Sequence, residues 1–138
     1  MELTQCINYL LTAAQHKVFQ QMSAKLEPLD ITPVQYGVLY CLWETDKTKP
    51  KEIANELQLE NSTISGILER MEKKGLICRH ISKEDRRYIE IELTDKGAAL
   101  RDETLAAVEE VNRKVLSIMN PQEQETLKDM LRRLAAEG

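Results

Sequence analysis

Asn61-Ser62-Thr63-Ile64-Ser65-Gly66-Ile67-Leu68-Glu69-Arg70-Met71-Glu72-Lys73-Lys74-Gly75 is the stretch on which the fold turns. On a helical wheel of about 100° per residue, Ile64, Ile67, Leu68 and Met71 fall in one sector. Ser62, Gly66, Glu69 and Lys73 fall opposite, with Ser65 and Arg70 at the edges. Asn61 reads as the N-cap and Gly75 as the stop. The outward face is therefore small and hydrogen-bonding in its first two turns and charged later. A glycine inside a helix costs roughly 1 kcal/mol against alanine, so Gly66 needs a reason. Close approach of another body to the helix axis would supply one.

Working outward from this helix, Thr48-Lys49-Pro50 opens a short helix whose inner stripe is Ile53, Ala54 and Leu57. The turn Gln58-Leu59-Glu60 joins it to the first. Two short helices linked by three residues form a helix-turn-helix. Downstream, 76–81 and 88–93 are short and rich in β-branched residues. The second alternates, with Ile89, Ile91 and Leu93 on one face and Tyr88, Glu90 and Glu92 on the other, which predicts a half-buried hairpin. Its loop, 82–87, is wholly polar and projects as a wing.

Longer helices flank this unit. Ile7, Leu10, Leu11, Ala14, Val18, Met22 and Leu26 recur with a 3.6 period and predict one helix over 7–29. Thr32-Pro33 caps a second, carrying Tyr36, Tyr40 and Trp43. Thr94 caps a long fifth helix striped by Leu100, Thr104, Val108, Val111, Val115 and Ile118. At 1.5 Å per residue it runs about 38 Å, longer than the central unit is wide. Asn120-Pro121-Gln122-Glu123 resembles a capping box and starts a sixth helix with Leu127, Met130, Leu131 and Leu134. These stripes need cover, and a second copy of the chain is the economical partner. The expected architecture is mainly α, an α+β winged helix of six helices and a β-hairpin, homodimeric through its end helices. One domain spans 1–138, with 1–30 and 94–138 for dimerisation and 33–93 as the winged lobe.

Composition narrows the function. The chain has 138 residues, 42% hydrophobic and 30% charged, with five Gly and four Pro, which suits one globular domain rather than a disordered or collagenous chain. The net charge of −4 excludes an all-over basic coat but not a basic patch. Residues 1–46 carry net −3, 47–88 net +3 and 89–138 net −4, so the positive charge sits on the helix-turn-helix and wing. The longest apolar run, Val38-Leu39-Tyr40-Cys41-Leu42-Trp43, is too short to span a bilayer, and the start has no basic signal region. Cys6, Cys41 and Cys78 form neither a disulfide framework nor a zinc set. With only His16 and His80, no triad, phosphate loop or metal spacing is present. A cytoplasmic, non-enzymatic protein with no cofactor, no metal and no membrane partner is expected.

The outward face suits a DNA major groove. Asn61, Ser62, Thr63 and Ser65 supply amide and hydroxyl groups at the helix start, and Gly66 lets the axis approach base edges. Arg70, Lys73 and Lys74 would reach phosphates. On the wing, Asp85-Arg86-Arg87 offers an Arg for the minor groove, with a carboxylate to hold the guanidinium.

The blocks "KEIANEL", "NSTISGILERMEKKGLI" and "KEDRRYIEIELTDKG", with long helices on either side, resemble the MarR family of winged-helix transcriptional regulators over nearly the whole chain. The resemblance implies a homodimer on a roughly palindromic double-stranded operator, usually as a repressor. It matches Ser62, Thr63, Ser65, Gly66 and Arg70 to the readout helix and Asp85, Arg86 and Arg87 to the wing. Gln58 departs from the pattern, which often has Gly there. It further implies release by a small aromatic effector, for which His16, Tyr36 and Tyr40 are the candidates, or by thiol oxidation, for which Cys6 is the candidate. A winged helix that binds protein instead of DNA is the remaining alternative, and salt-dependent duplex binding separates the two.

Overall fold

The computed structural model describes residues 1–136. The chain opens with a single 3-10 turn, Leu3–Gln5, and helix α1, Ile7–Leu26. A second 3-10 turn, Glu27–Leu29, ends at Asp30, whose φ of 57° turns the chain toward α2, Pro33–Glu44. The expected cap is present. Thr32 Oγ1 accepts from the Gln35 N–H at 3.2 Å, and Gln35 Oε1 accepts from the Thr32 N–H at 3.1 Å.

Helices α3, Pro50–Glu56, and α4, Asn61–Lys73, form the helix-turn-helix. The turn is a Schellman motif. Gln58 N–H donates to Asn55 O and Leu59 N–H to Ala54 O, with Gln58 at φ 59°. Gln58 thus occupies the left-handed position that glycine takes most cheaply. Helix α4 closes with the same motif: Leu76 N–H donates to Met71 O and Gly75 N–H to Glu72 O, with Gly75 at φ 77°.

Strands β1, Ile77–Ile81, and β2, Ile89–Leu93, pair antiparallel with Cys78 opposite Glu92 and Ile81 opposite Ile89. Ile91 N–H also donates to Thr48 O at 2.8 Å, fastening the hairpin to the entry of α3. The expected inner face of β2 is only half realised. Ile91 is buried and Leu93 partly buried, but Ile89 is exposed, because it and Ile81 lie beyond the edge of the lobe.

The expected fifth helix is two. α5, Asp95–Ala99, and α6, Arg101–Leu116, meet at Leu100, so the described residues hold seven α-helices rather than six. Gly97 supplies the reason. Its carbonyl accepts from Trp43 Nε1 at 3.0 Å, which competes for the acceptor a continuous helix offers to the Arg101 N–H. A Cβ at Gly97 would lie 2.2 Å from Leu76 O, so the first turn is pressed against the end of α4. Helix α7, Pro121–Ala136, begins with the expected box, Asn120 Oδ1 on Glu123 N–H at 2.8 Å and Glu123 Oε1 on Asn120 N–H at 2.9 Å.

The core lies in the lobe. Val38, Leu39, Ile53, Leu68, Met71, Leu76 and Ile91 are closed to solvent, with Leu26 of α1 and Val108 of α6 completing it. Helix α1 packs on α6 and reaches the core only at its end.

Candidate nucleic-acid interface

Helix α4 shows the two faces its wheel requires. Ile64, Ile67, Leu68 and Met71 are buried, whereas Asn61, Ser62, Thr63, Ser65, Glu69, Arg70 and Lys73 are exposed. One expectation is corrected. Glu60, extended at φ −68° and ψ 145°, is the residue before the helix, and Asn61 is its first residue rather than its cap. The chain leaves the left-handed Gln58 one residue sooner than the spacing suggested. The amide of Asn61 therefore faces outward with the hydroxyls.

Gly66 is not required by the interior. A methyl there would meet only the Arg70 guanidinium, at 3.4 Å, an ordinary contact with the mobile end of a side chain. The contrast with Gly97 is direct: one glycine is held by backbone, the other by nothing in the protein. Lys73 pairs with Glu69 at 3.5 Å, but both are well exposed, so the pair contributes little and the ammonium can change partners.

Lys74 does not face outward as expected. Its Nζ donates to Asp30 O at 2.8 Å and to Gln35 Oε1 at 2.9 Å, with the Asp30 carboxylate at 3.7 Å. The wheel places it beside Lys73, but two oxygen acceptors lie on the other side, Gln35 of α2 and Asp30 of the turn before it, 39 and 44 positions away in sequence.

The wing is built around two residues. Ser82 is buried, and its hydroxyl accepts from the N–H groups of Glu84 and Asp85 and bonds to Glu90 Oε1 at 3.2 Å. This folds the polar loop into a fixed turn. Asp85 then grips Arg87. Its carboxylate accepts from Arg87 Nε at 3.0 and 3.2 Å, from Nη2 at 2.7 Å and from the Arg87 N–H at 3.0 Å. The Arg87 side-chain bonds, then its backbone N–H, hold the Asp85 carboxyl below the usual carboxylate range. The same pairing pushes the Arg87 guanidinium up. Arg87 is 81% exposed despite this grip, so it is aimed without being covered. Arg86 is exposed beside it. Two cations lie over the Tyr88 ring, Lys49 Nζ at 5.0 Å and Arg87 Cζ at 5.8 Å from its centre.

Ser82, Lys49 and Tyr88 were not singled out from the sequence. A Ser three residues before an Asp at a loop start is a recognisable turn signal. Lys49 and Tyr88 come together only through the fold.

The candidate effector and redox residues lie elsewhere. Tyr36 and Tyr40 meet edge to face at 6.1 Å, and burial, then Tyr40, pushes the Tyr36 phenol up. His16 is exposed on α1. An open groove of about 470 Å³ is lined by Phe19, Ala24, Asp30, Ile31, Pro33 and Lys74, and by none of those three. Cys6 is half-buried immediately before α1. Cys41 is buried, and burial, then Glu56, raises its thiol pKa, while Cys78 is exposed on β1. Among the described residues no cluster of His, Cys, Asp or Glu could hold a metal, and no helix is long and apolar enough to cross a membrane.

A hydroxyl-lined helix beside an arginine-bearing hairpin defines a winged helix-turn-helix, and comparison with known proteins agrees. The model of the MarR family matches residues 31–89. The chain is 36% identical over 105 residues to the organic hydroperoxide resistance transcriptional regulator of Bacillus subtilis, covering 76% of this chain and 71% of that one. A probable transcriptional regulator from Pseudomonas aeruginosa superposes with a TM-score of 0.88 at 32% identity, over 96% of this chain and 99% of that one. The Staphylococcus aureus MepR–DNA complex superposes with a TM-score of 0.85 at 29% identity, over 95% of this chain and 97% of that one. The chain belongs to the MarR family, whose members are DNA-binding transcriptional regulators and not enzymes.

Proposed function

We propose that this protein binds a pseudo-palindromic operator in duplex DNA as a homodimer and represses transcription there. Asn61, Ser62, Thr63, Ser65 and Gly66 meet base edges in the major groove, Arg70 and Lys73 meet phosphates, and Arg87, steadied by Asp85 with Arg86 beside it, enters the minor groove. The observation that carries this reading is the unfilled space at Gly66 on an exposed, hydroxyl-bearing face, in a chain whose wing holds an arginine fixed in direction yet open to solvent. A relative solved with DNA, MepR, supports it. The exposed apolar residues of α1 and α7, among them Ile7, Leu10, Met130 and Leu134, support the homodimer.

The test is binding to duplexes selected from random-sequence DNA across a range of salt. Affinity falls steeply as salt rises, with a slope of about −0.9 per phosphate contact. Arg87→Ala weakens binding by ~1–3 kcal/mol, most on duplexes with A·T-rich flanks. Salt-insensitive or absent duplex binding makes the fold a protein-interaction module instead.

Release by a small aromatic molecule near His16, Tyr36 and Tyr40 completes the proposal, and loss of release in Tyr40→Ala checks it. A second reading has the switch at Cys6, favoured by its place at the start of α1 and by the relative named for organic hydroperoxide resistance. Under that reading Cys6→Ser protein stays on DNA when peroxide is added. Release of the variant by peroxide removes it.

A further inference from the structure

Helix α4 is bare along its outer face but tied at its C-terminal end from two directions. From one side, Lys74 Nζ donates to Asp30 O and Gln35 Oε1. Gln35 is 4% exposed, and the same oxygen already accepts from the Thr32 N–H, so the lysine is fastened to the cap of α2 rather than to a loose surface group. Asp30 is the left-handed residue that joins α1 to α2. From the other side, Lys96 Nζ donates to Lys74 O at 2.8 Å and Thr94 Oγ1 to Gly75 O at 2.6 Å. The Thr94 N–H donates to Leu76 O at 3.1 Å. These groups belong to the turn that leads into α5 and α6. The end of α4 is therefore gripped where both chain arms leave for the helices that carry the exposed apolar stripes. Neither grip uses a residue of the outer face.

We propose that Lys74 and Lys96 are positioning residues for DNA binding: together they fix the end of α4 against the roots of α1 and α5, and so set the spacing and angle at which the two α4 helices of a dimer address one duplex. The inference rests on the DNA-binding reading above. It assigns both lysines a task that needs no contact with DNA, although each is a cation close to a helix that would touch it. The two tasks leave different signatures. A lysine on phosphate contributes to every duplex alike, and losing it from both protomers flattens the salt slope by about 1.8. A positioning lysine leaves the slope alone and is felt where geometry matters, on the correctly spaced site.

The experiment measures binding of the full chain to three duplexes over a salt series. One is selected by the wild-type protein from a random pool, one is the same duplex lengthened at its centre by two base pairs, and one is scrambled. Lys74→Met and Lys96→Met are compared with wild type, with melting temperature as the check on folding. Lys96 is on the surface, so its variant keeps the test available if Lys74→Met does not fold. The expected result is at least a tenfold loss on the selected duplex in each variant, under twofold change on the scrambled one, an unaltered salt slope, and a smaller penalty for the lengthened duplex. Equal losses on all three with a flattened slope make the lysines phosphate contacts and overturn the inference. Wild-type affinity on the selected duplex in both folded variants also overturns it. A wild-type protein that shows no preference among the three overturns the operator reading on which the inference rests, and one that binds none of them overturns DNA binding itself.

Discussion

Helix α4 and helix α7 are both amphipathic, but they solve burial differently. Of the 13 residues of α4, Ile64, Ile67, Leu68 and Met71 are covered by the same chain. Of the 16 residues of α7, none is, and α1 buries only Leu26 of its 20. The lobe is thus closed around its own core, which Leu26 of α1 and Val108 of α6 complete. The end helices display Leu10, Leu11, Phe19, Leu127, Met130 and Leu131 to solvent. Apolar stripes of that length are written for a surface that one copy does not contain. On the proposed reading the two regions divide the labour, one facing duplex and the other a second chain.

The largest way to break this contrast is a charge on the end helices. Leu131→Glu dissociates the dimer at micromolar concentration while leaving the lobe folded, and operator affinity drops by about 100-fold or more because the two half-sites no longer act together. Sedimentation and titration on the same sample check both statements. Next comes Gly97→Ala, which forces a methyl into Leu76 O and destabilises the lobe by about 3 kcal/mol, the upper part of the overpacking range. Thermal unfolding should fall by roughly 10 °C. The smallest change sharpens the lobe. Gln58→Gly relieves a left-handed non-glycine residue and stabilises by about 1 kcal/mol, read from the denaturant midpoint, with no effect on DNA affinity.

Much of this was legible in the sequence because it obeys local rules. The inner and outer faces of α4 follow from a wheel, the caps at Thr32, Thr94 and Asn120 from residue type and spacing, and the hairpin from alternation. That Asp85 would hold a neighbouring guanidinium was visible from their closeness on a short loop, and the turn built on Ser82 selects Arg87 rather than Arg86. What stayed hidden depended on partners distant in sequence. The break at Leu100 needs Trp43 on the Gly97 carbonyl, 54 positions away. The inward turn of Lys74 needs the α2 cap. Ile89 alternates correctly but lies past the edge of the core, and alternation does not reveal where a core ends.

Gly66→Ala tests the central claim most directly, that the outer face of α4 is kept small for contact with a duplex. Alanine meets no backbone there and restores helix propensity, so the account predicts a protein more stable by roughly 1 kcal/mol that binds its operator at least about tenfold more weakly, with an unchanged salt slope. A more stable protein that holds the operator as tightly as before would contradict it.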